Sequence, residues 1–518
     1  MSGVFKQWPH LSQNTGSTSN LDQAKDWLQQ CDASHDNCTS VQSVDYLPTR
    51  VLDVSRQEDR IFVVEKDLCP TKPYVTLSHC WGHRKPIQTT VASLPTFRTD
   101  GIALTSLPKT FREAVLATRH LGCSYLWIDS LCIIQGRDGD WVSEAPRMAD
   151  VYRNAYVTIA ASASSDGTGG LFHMNDINLV QYAAERRLED GSLTTVYVRP
   201  AIDHAAYVHG HLHPLNPLYP APLLQRGWFF QEQTLSRRII FFTNFELVWQ
   251  CEEVSTCICE VRENRGVMST NQVRSNLSEY VPKGRATDLH RSWVEIVHLY
   301  TEGQLSFDSD RLAALAAIAK LMSGTALGRY MSGLWETTLA SGLIWTVVGS
   351  SLKDDSIIPR RTEDKSMPSW SWASVISPVS STLYSPQSPD FEIVDIHFES
   401  DNADSFVKAN AKALTVRGMV CECMAWYSGR GYMRSIQQIG MEREYAFVAD
   451  VGSEVSCGRD EAIVVYVLRI QPLHGIVIRK VEDQKDTYRR LGVIGSQNLG
   501  EAAMKAMTFT PMDYLKLI

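Results

Sequence analysis

Tyr74-Val75-Thr76-Leu77-Ser78-His79-Cys80-Trp81-Gly82 is the stretch on which the fold turns. An apolar, β-branched run that ends at a glycine reads as a buried strand. Working outward, Leu107-Pro108 opens a helix with Phe111, Ala114, Val115, Thr118 and Leu121 on one face, and Gly122 stands where a C-terminal cap belongs. Tyr125 to Ile134 reads as a second strand. Trp141, Ala145, Met148, Tyr152 and Ala155 then recur at helical spacing. Proline is tolerated only in a first helical turn, so Pro146 places the N-cap of that helix at Ser143. Tyr156 to Ala161 is a third strand, ending in Ala163-Ser164-Ser165-Asp166-Gly167. Strand and helix alternating at this spacing predict an α/β fold with a doubly wound, mostly parallel sheet and right-handed crossovers. Ligands bind such sheets at the carboxyl ends of the strands. Here that edge gathers Ser78 to Trp81, Asp129 to Cys132 and Ala161 to Ser165.

Around this centre the chain divides by composition. Residues 1–44 read as a polar tail, loosest over 1–20, with a short helix at Leu21 to Cys31. Residues 45–260 hold the α/β domain, with an irregular insertion at 172–222 that is Pro-rich from Pro214 to Pro222. Arg226 to Leu235 is helix-like, and Arg238 to Thr243 with Glu246 to Cys251 make a hairpin turning at Asn244. Residues 261–376 read as helical, with helices at His290 to Tyr300, Asp310 to Met322 and Tyr330 to Leu339. A Ser/Pro-rich linker over 377–389 leads to a β-rich module over 390–518, with strands at Leu414 to Val420, Tyr445 to Val451, Ala462 to Ile470, Gly475 to Val481 and Leu491 to Ile494.

The 518 residues are 44% hydrophobic and 21% charged, which excludes disordered and fibrous classes. Lys and Arg number 50 against 58 Asp and Glu, a formal charge of −8 with no basic run, so neither nucleic acid nor an anionic membrane is the expected partner. No apolar run approaches the ~20 residues a spanning helix needs. The N-terminus lacks a basic-then-apolar signal pattern, so the expected location is cytoplasmic. Twelve cysteines then read as free thiols rather than a disulfide frame.

Three blocks together resemble the fungal heterokaryon-incompatibility (HET) domain proteins. They are Tyr74 to Gly82; Leu107-Pro108-Lys109-Thr110-Phe111-Arg112-Glu113-Ala114 continuing through Leu126-Trp127-Ile128-Asp129-Ser130-Leu131-Cys132 to Thr158-Ile159-Ala160-Ala161; and Arg226-Gly227-Trp228 with Gln231-Glu232, Leu235-Ser236 and Arg238. Trp27-Leu28, Cys31, His35 and Cys38 resemble the family's lead-in, and Asp310 to Leu315, Gly333 to Glu336 and Pro368 to Ser374 its downstream region. Pro146 and Phe229-Phe230 depart from the pattern, and no Gly-rich phosphate loop is present. The resemblance implies a role in fungal non-self recognition and regulated cell death, and a TIR-like domain. Some TIR domains cleave nicotinamide dinucleotides through a glutamate, which makes NAD a candidate substrate; no cofactor is implied. Because some family members lie in secondary-metabolite gene clusters, a biosynthetic enzyme acting on a small molecule in the same pocket is the alternative. A third reading is a non-catalytic module that works by self-association.

Glu144 is the first candidate acid, because a carboxylate near the ligand edge stabilises an oxocarbenium-like centre; the plainer reading is a capping glutamate. Asp129 ends an apolar strand, where it orients His79, holds a ribose hydroxyl or caps the next turn. Cys80 is a candidate thiol nucleophile. Adjacent strand residues face opposite ways, so its base would be His83 rather than His79. Ser78, Trp81, Ser130 and Cys132 complete the edge as ligand-binding candidates, joined from the third block by Arg226, Trp228, Gln231 and Glu232. Cys251, Cys257 and Cys259 form one incomplete metal-ligand set and Cys31, His35 and Cys38 another. Neither has zinc spacing on its own; a zinc site combining the two sets is the alternative, but buried thiols are the preferred reading and no metal is assigned.

Overall fold

The computed structural model describes residues 12, 14–39, 46–68, 73–82, 85–174, 182–187, 191–198, 221–259, 273, 274, 276, 277, 281, 283–348, 358–381, 387–399, 406–430, 433–495 and 498–518. Most of residues 1–20, most of the 172–222 insertion and His83 lie outside them. The chain divides into two compact units, Met1–Arg274 and Ser275–Ile518.

In the first unit the helices are α1 (Thr18–Ser34), α2 (Asp36–Thr39), α3 (Leu94–Thr99), α4 (Lys109–His120), α5 (Asp129–Cys132), α6 (Trp141–Glu144), α7 (Met148–Asn154) and α8 (Gly227–Leu235). The strands are β1 (Arg50–Asp53), β2 (Arg60–Glu65), β3 (Tyr74–Ser78), β4 (Ile102–Ala103), β5 (Tyr125–Trp127), β6 (Val157–Ala160), β7 (Tyr182–Arg187), β8 (Leu193–Val198), β9 (Arg238–Phe242), β10 (Leu247–Cys251) and β11 (Ser255–Cys257). Nine of them form one sheet in the order β11-β10-β9-β6-β3-β5-β1-β2-β4, while β7 and β8 pair only with each other. The β9–β6, β6–β3 and β3–β5 pairings are parallel. The flanking pairings are antiparallel. The sheet is therefore mixed, which corrects the mostly parallel expectation. Connections as short as the Asn244 turn between β9 and β10 can only return the chain antiparallel.

Local chemistry explains the elements. The Ser17 side chain accepts from the Asn20 N–H and caps α1, which buries Leu21, Ala24, Trp27, Leu28 and Cys31 along one face. Pro108 precedes α4, and Gly122 follows it at φ +80°, where only glycine is free of strain. Helices cover both faces of the sheet. On one face the Phe111 ring of α4 meets His79 edge-on at 4.9 Å, and Trp27 of α1 lies 6.3 Å from Trp249. On the other, the Tyr74 hydroxyl donates to the Val151 carbonyl of α7 (2.6 Å), and Phe229 of α8 packs on Phe241 at 6.3 Å.

Two expected elements are different here. The strand at Tyr125–Ile134 stops at Trp127, and Asp129–Cys132 turns into a helix, with the Cys132 N–H bonded to the Ile128 carbonyl. The helix through Pro146 is broken into α6, a 3-10 turn at Ala145–Arg147 and α7, because proline cannot donate into a continuous helix. It begins at Trp141 rather than after Ser143.

The second unit opens with the helix Ala286–Thr301, then Asp310–Ala313 and Ala316–Met322. Tyr330–Leu339 is not the expected helix. Tyr330–Met331 and Leu334–Trp335 pair as a hairpin, with Ser332 (φ +46°) and Gly333 (φ +98°) in its turn. Paired positive φ values suit a tight hairpin and exclude a helix. Within the expected linker, Val379–Ser381 pairs with Trp345–Val347. The β-rich C-terminal region is present. Its 20-residue strand Ala411–Arg430 pairs with Met433–Gln438 on one side and with Ile463–Gln471 further along, so the strands between close into a barrel. Val465, Val467, Val477 and Phe447 fill its core with Met504 of the helix Asn498–Ala506. No helix among the described residues is long and apolar enough to cross a membrane.

Candidate functional site

The site forms where β3 ends. Ser78 pairs with Ala160 of β6, so the chain leaving β3 runs beside the chain leaving β6. Gly82 lets them approach. It lies at φ +69°, and a Cβ there would meet the Asp166 Cβ at 2.4 Å.

Asp129 is the hub. It begins α5, and its Oδ1 accepts the Ser130 N–H (2.6 Å) while its Oδ2 accepts the Trp81 indole N–H (2.8 Å). His79 Nε2 stands 3.9 Å from Asp129 Oδ1, beyond a hydrogen bond. Burial holds the His79 imidazole below its ordinary range, more strongly than the Asp129 charge raises it, so the ring is neutral at pH 7. Its backbone carbonyl accepts from the Arg226 guanidinium, which ties β3 to the start of α8.

Glu232 reaches the same edge from α8. Burial pushes its carboxyl up to about 7, with the Asp129 charge adding to the rise; the Ser78 hydroxyl and the Arg226 guanidinium offset it only in part. Tyr152 of α7 packs edge-on against Trp127 at 5.8 Å, and its phenol is raised by burial and then by the charges of Glu232 and Asp129. Four buried polar atoms, Ser78 Oγ, His79 Nε2, Ser130 Oγ and Glu232 Oε2, have no partner in hydrogen-bonding geometry among the described residues, although Ser78 and Tyr152 lie near enough to Glu232 to hold its carboxyl lower than burial alone would. Each such orphan costs about 1–3 kcal/mol, so four at one strand edge mark a place where a polar ligand or water completes them.

The other candidates fall around this group. Glu144 is buried, but its Oε1 accepts from Thr49 Oγ1 (2.9 Å) and pairs with Arg147 (3.1 Å). Cys80 packs with Ala160, Phe229 and Phe241, on the face opposite His79, and burial pushes its thiol up to about 11. Burial raises Cys132 to about 12. Thiols held protonated are weak nucleophiles. Trp228 meets the half-exposed Trp141 edge-on at 6.1 Å. Gln231 is buried on α8 beside Glu232. Tyr152 was missed from the sequence, because an aromatic residue at helical spacing looks like any core residue.

The two incomplete metal sets prove to be joined differently. Cys31, His35 and Cys38 meet Cys251, while Cys257 and Cys259 face Glu246. An apolar pocket lined by Trp293, Trp335, Trp345 and Trp372 lies within the second unit and holds none of the candidate residues.

Residues 74–232 match the family described as Heterokaryon incompatibility protein (HET). The match spans β3 to Glu232, and so contains every residue of the strand-end group. No curated protein and no solved structure matches the chain. Residues 74–232 are thus similar to a heterokaryon incompatibility (HET) domain, and a heterokaryon-incompatibility role is supported at the level of that family.

Proposed function

We propose that the strand-end group binds a nicotinamide dinucleotide and hydrolyses its N-glycosidic bond, with Glu232 as the working carboxyl, as an effector step in non-self recognition and cell death. The carrying observation is three unpartnered buried polar atoms, Ser78 Oγ, His79 Nε2 and Ser130 Oγ, beside the Glu232 carboxyl, whose own Oε2 is unpartnered and which is raised to about 7. In this reaction water attacks the ribosyl C1′ as the C1′–N bond breaks, and that electron pair leaves with neutral nicotinamide. The water proton passes to the Glu232 carboxylate and then to solvent, leaving ADP-ribose. The ionised carboxylate also stabilises the oxocarbenium-like charge at C1′. Ser78, Ser130 and neutral His79 supply hydrogen bonds to ribose hydroxyls. Trp81, partly exposed and anchored by Asp129, offers an aromatic ring beside them. The TIR-like winding belongs to this reading, supported by parallel β9-β6-β3-β5 with helices on both faces. Glu232 takes the part expected of Glu144, which is engaged by Thr49 and Arg147.

The test is nicotinamide release from NAD by the purified full chain. Glu232→Gln should lower release by about 10²–10⁴-fold, the usual contribution of a positioned acid–base group. Glu144→Gln should stay within a few-fold of wild type. Folded wild-type protein that releases no nicotinamide at high enzyme concentration would leave the strand-end group as the site of a small-metabolite biosynthetic enzyme or a binding module instead.

A further inference from the structure

We propose that Cys31, His35, Cys38 and Cys251 form a structural zinc site that fastens the N-terminal helix to the edge of the HET-domain sheet. One ligand atom from each residue converges, all within 4.8 Å of one another. Three of the residues lie ahead of the family match and the fourth lies beyond it.

The backbone explains the convergence. Cys31 sits in the last turn of α1, and the His35 N–H still bonds to its carbonyl (3.1 Å) as the C-cap. The chain then turns, with the Cys38 N–H bonded to the His35 carbonyl (3.2 Å). Cys251 arrives as the last residue of β10, and its Sγ lies 3.4 Å from His35 Nδ1. The three sulfurs are buried while the imidazole is half-buried. In a tetrahedral site with Zn–S of about 2.3 Å, neighbouring sulfurs stand about 3.8 Å apart, a spacing that the observed cluster spans.

Ligand chemistry selects the metal. Three thiolates with one imidazole suit zinc, and hard cations prefer oxygen. Four protein ligands leave no open position, so the site is structural rather than catalytic. On binding, the three thiols lose their protons to solvent, and with a neutral imidazole the site carries a net charge of −1. The surroundings are built for that charge. Arg238, 1% exposed, donates from Nε to Cys31 Sγ (3.2 Å), and the Val254 N–H donates to Cys251 Sγ (3.2 Å). Arg238 is itself held by Asp32 at 2.6 Å. Donors to ligand sulfurs are what a metal–thiolate site requires around it. Beside the cluster the Asn37 N–H bonds to Glu253 Oε1 (2.9 Å), a second tie between the same two segments.

The test uses untagged full-length protein purified without chelator. Elemental analysis should find about one zinc per chain, and cobalt exchanged into the site should show the d–d and thiolate charge-transfer bands of tetrahedral sulfur coordination. Cys251→Ser and Cys38→Ser should lose the metal, and Cys38→His, which keeps four ligands, should retain it with a shifted cobalt spectrum. Cys257→Ser, in the neighbouring group with Glu246, should keep the zinc. If the serine variants fail to fold, the wild-type cobalt spectrum and Cys38→His still decide. Metal-free wild-type protein that takes up neither ion, zinc that survives Cys251→Ser, or a Cys31–Cys251 disulfide in protein from a reducing cytosol would each overturn the site.

Discussion

The Trp81 indole N–H donates to Asp129 Oδ2 at 2.8 Å, so the chain that leaves β3 is tied to the first residue of α5, just beyond β5. One carboxylate thus closes the two parallel strands at their carboxyl ends, and its other oxygen accepts the Ser130 N–H. Asp129→Ala leaves both donors without this partner and should lower unfolding free energy by about 1–3 kcal/mol. Asp129→Asn keeps an acceptor and should cost less. Urea denaturation of the two variants, read as a shift in midpoint at constant slope, checks the order.

Glu232 gives the molecule a pH signature. Its folded value of about 7 lies above its ordinary value of 4.5. Between those values the native chain holds a proton that the unfolded chain releases. Its stabilising contribution is therefore fully present below about 4.5 and is lost as pH rises to about 7. The shift corresponds to about 3 kcal/mol. Glu232→Gln should flatten the stability profile over that window. Nicotinamide release should run the opposite way, rising with pH as the carboxylate forms. A wild-type profile that is flat between pH 5 and 7 would refute the raised carboxyl.

The buried thiols at the strand end should be inert. Cys80 is raised to about 11 and Cys132 to about 12, both by burial. Iodoacetamide at neutral pH should leave both unlabelled in native protein, while half-buried Cys457 reacts first among the described cysteines. Cys80→Ser should leave nicotinamide release within a few-fold of wild type. Rapid alkylation of Cys80 would reopen the thiol route.

The second unit rests on a buried ion pair. Arg490, fully buried, bonds to Asp450 through Nε and Nη2, each at 3.0 Å, donates to the Leu343 carbonyl (2.6 Å) and lies 3.5 Å from the Trp345 ring centre. Asp450→Ala strands that guanidinium and should cost about 3–5 kcal/mol. The double change Arg490→Met with Asp450→Leu should recover much of this, because it removes both charges. Thermal and chemical denaturation of the single and double variants measures the difference.

Much of this chain was legible before folding, because local chemistry decides local structure. The run Tyr74 to Ser78, the α4 face headed by Phe111 and the Gly122 cap are readable from periodicity and backbone preference alone, and so was the HET resemblance of the blocks between Tyr74 and Glu232. Strand ends were less legible. Tyr125 to Ile134 is uniformly apolar, and apolarity cannot tell a strand from a buried turn of helix, which is what Asp129–Cys132 became. At Tyr330–Trp335 helical spacing lost to the Ser332-Gly333 turn.

Which carboxyl is raised and which thiols converge was decided only by tertiary structure. Glu144 and Glu232 are equivalent as letters; packing joins one to Thr49 and Arg147 and buries the other beside Ser78. A carboxyl's pKa is set by the water and charges around it, and these come from elements far apart in the chain. The metal ligands show the same division. The sequence carries Cys31, His35 and Cys38 as one incomplete set and Cys251 within another, separated by more than two hundred residues. Only the packing of α1 against β10 brings them within coordination distance, because a metal reads positions in space and not in order.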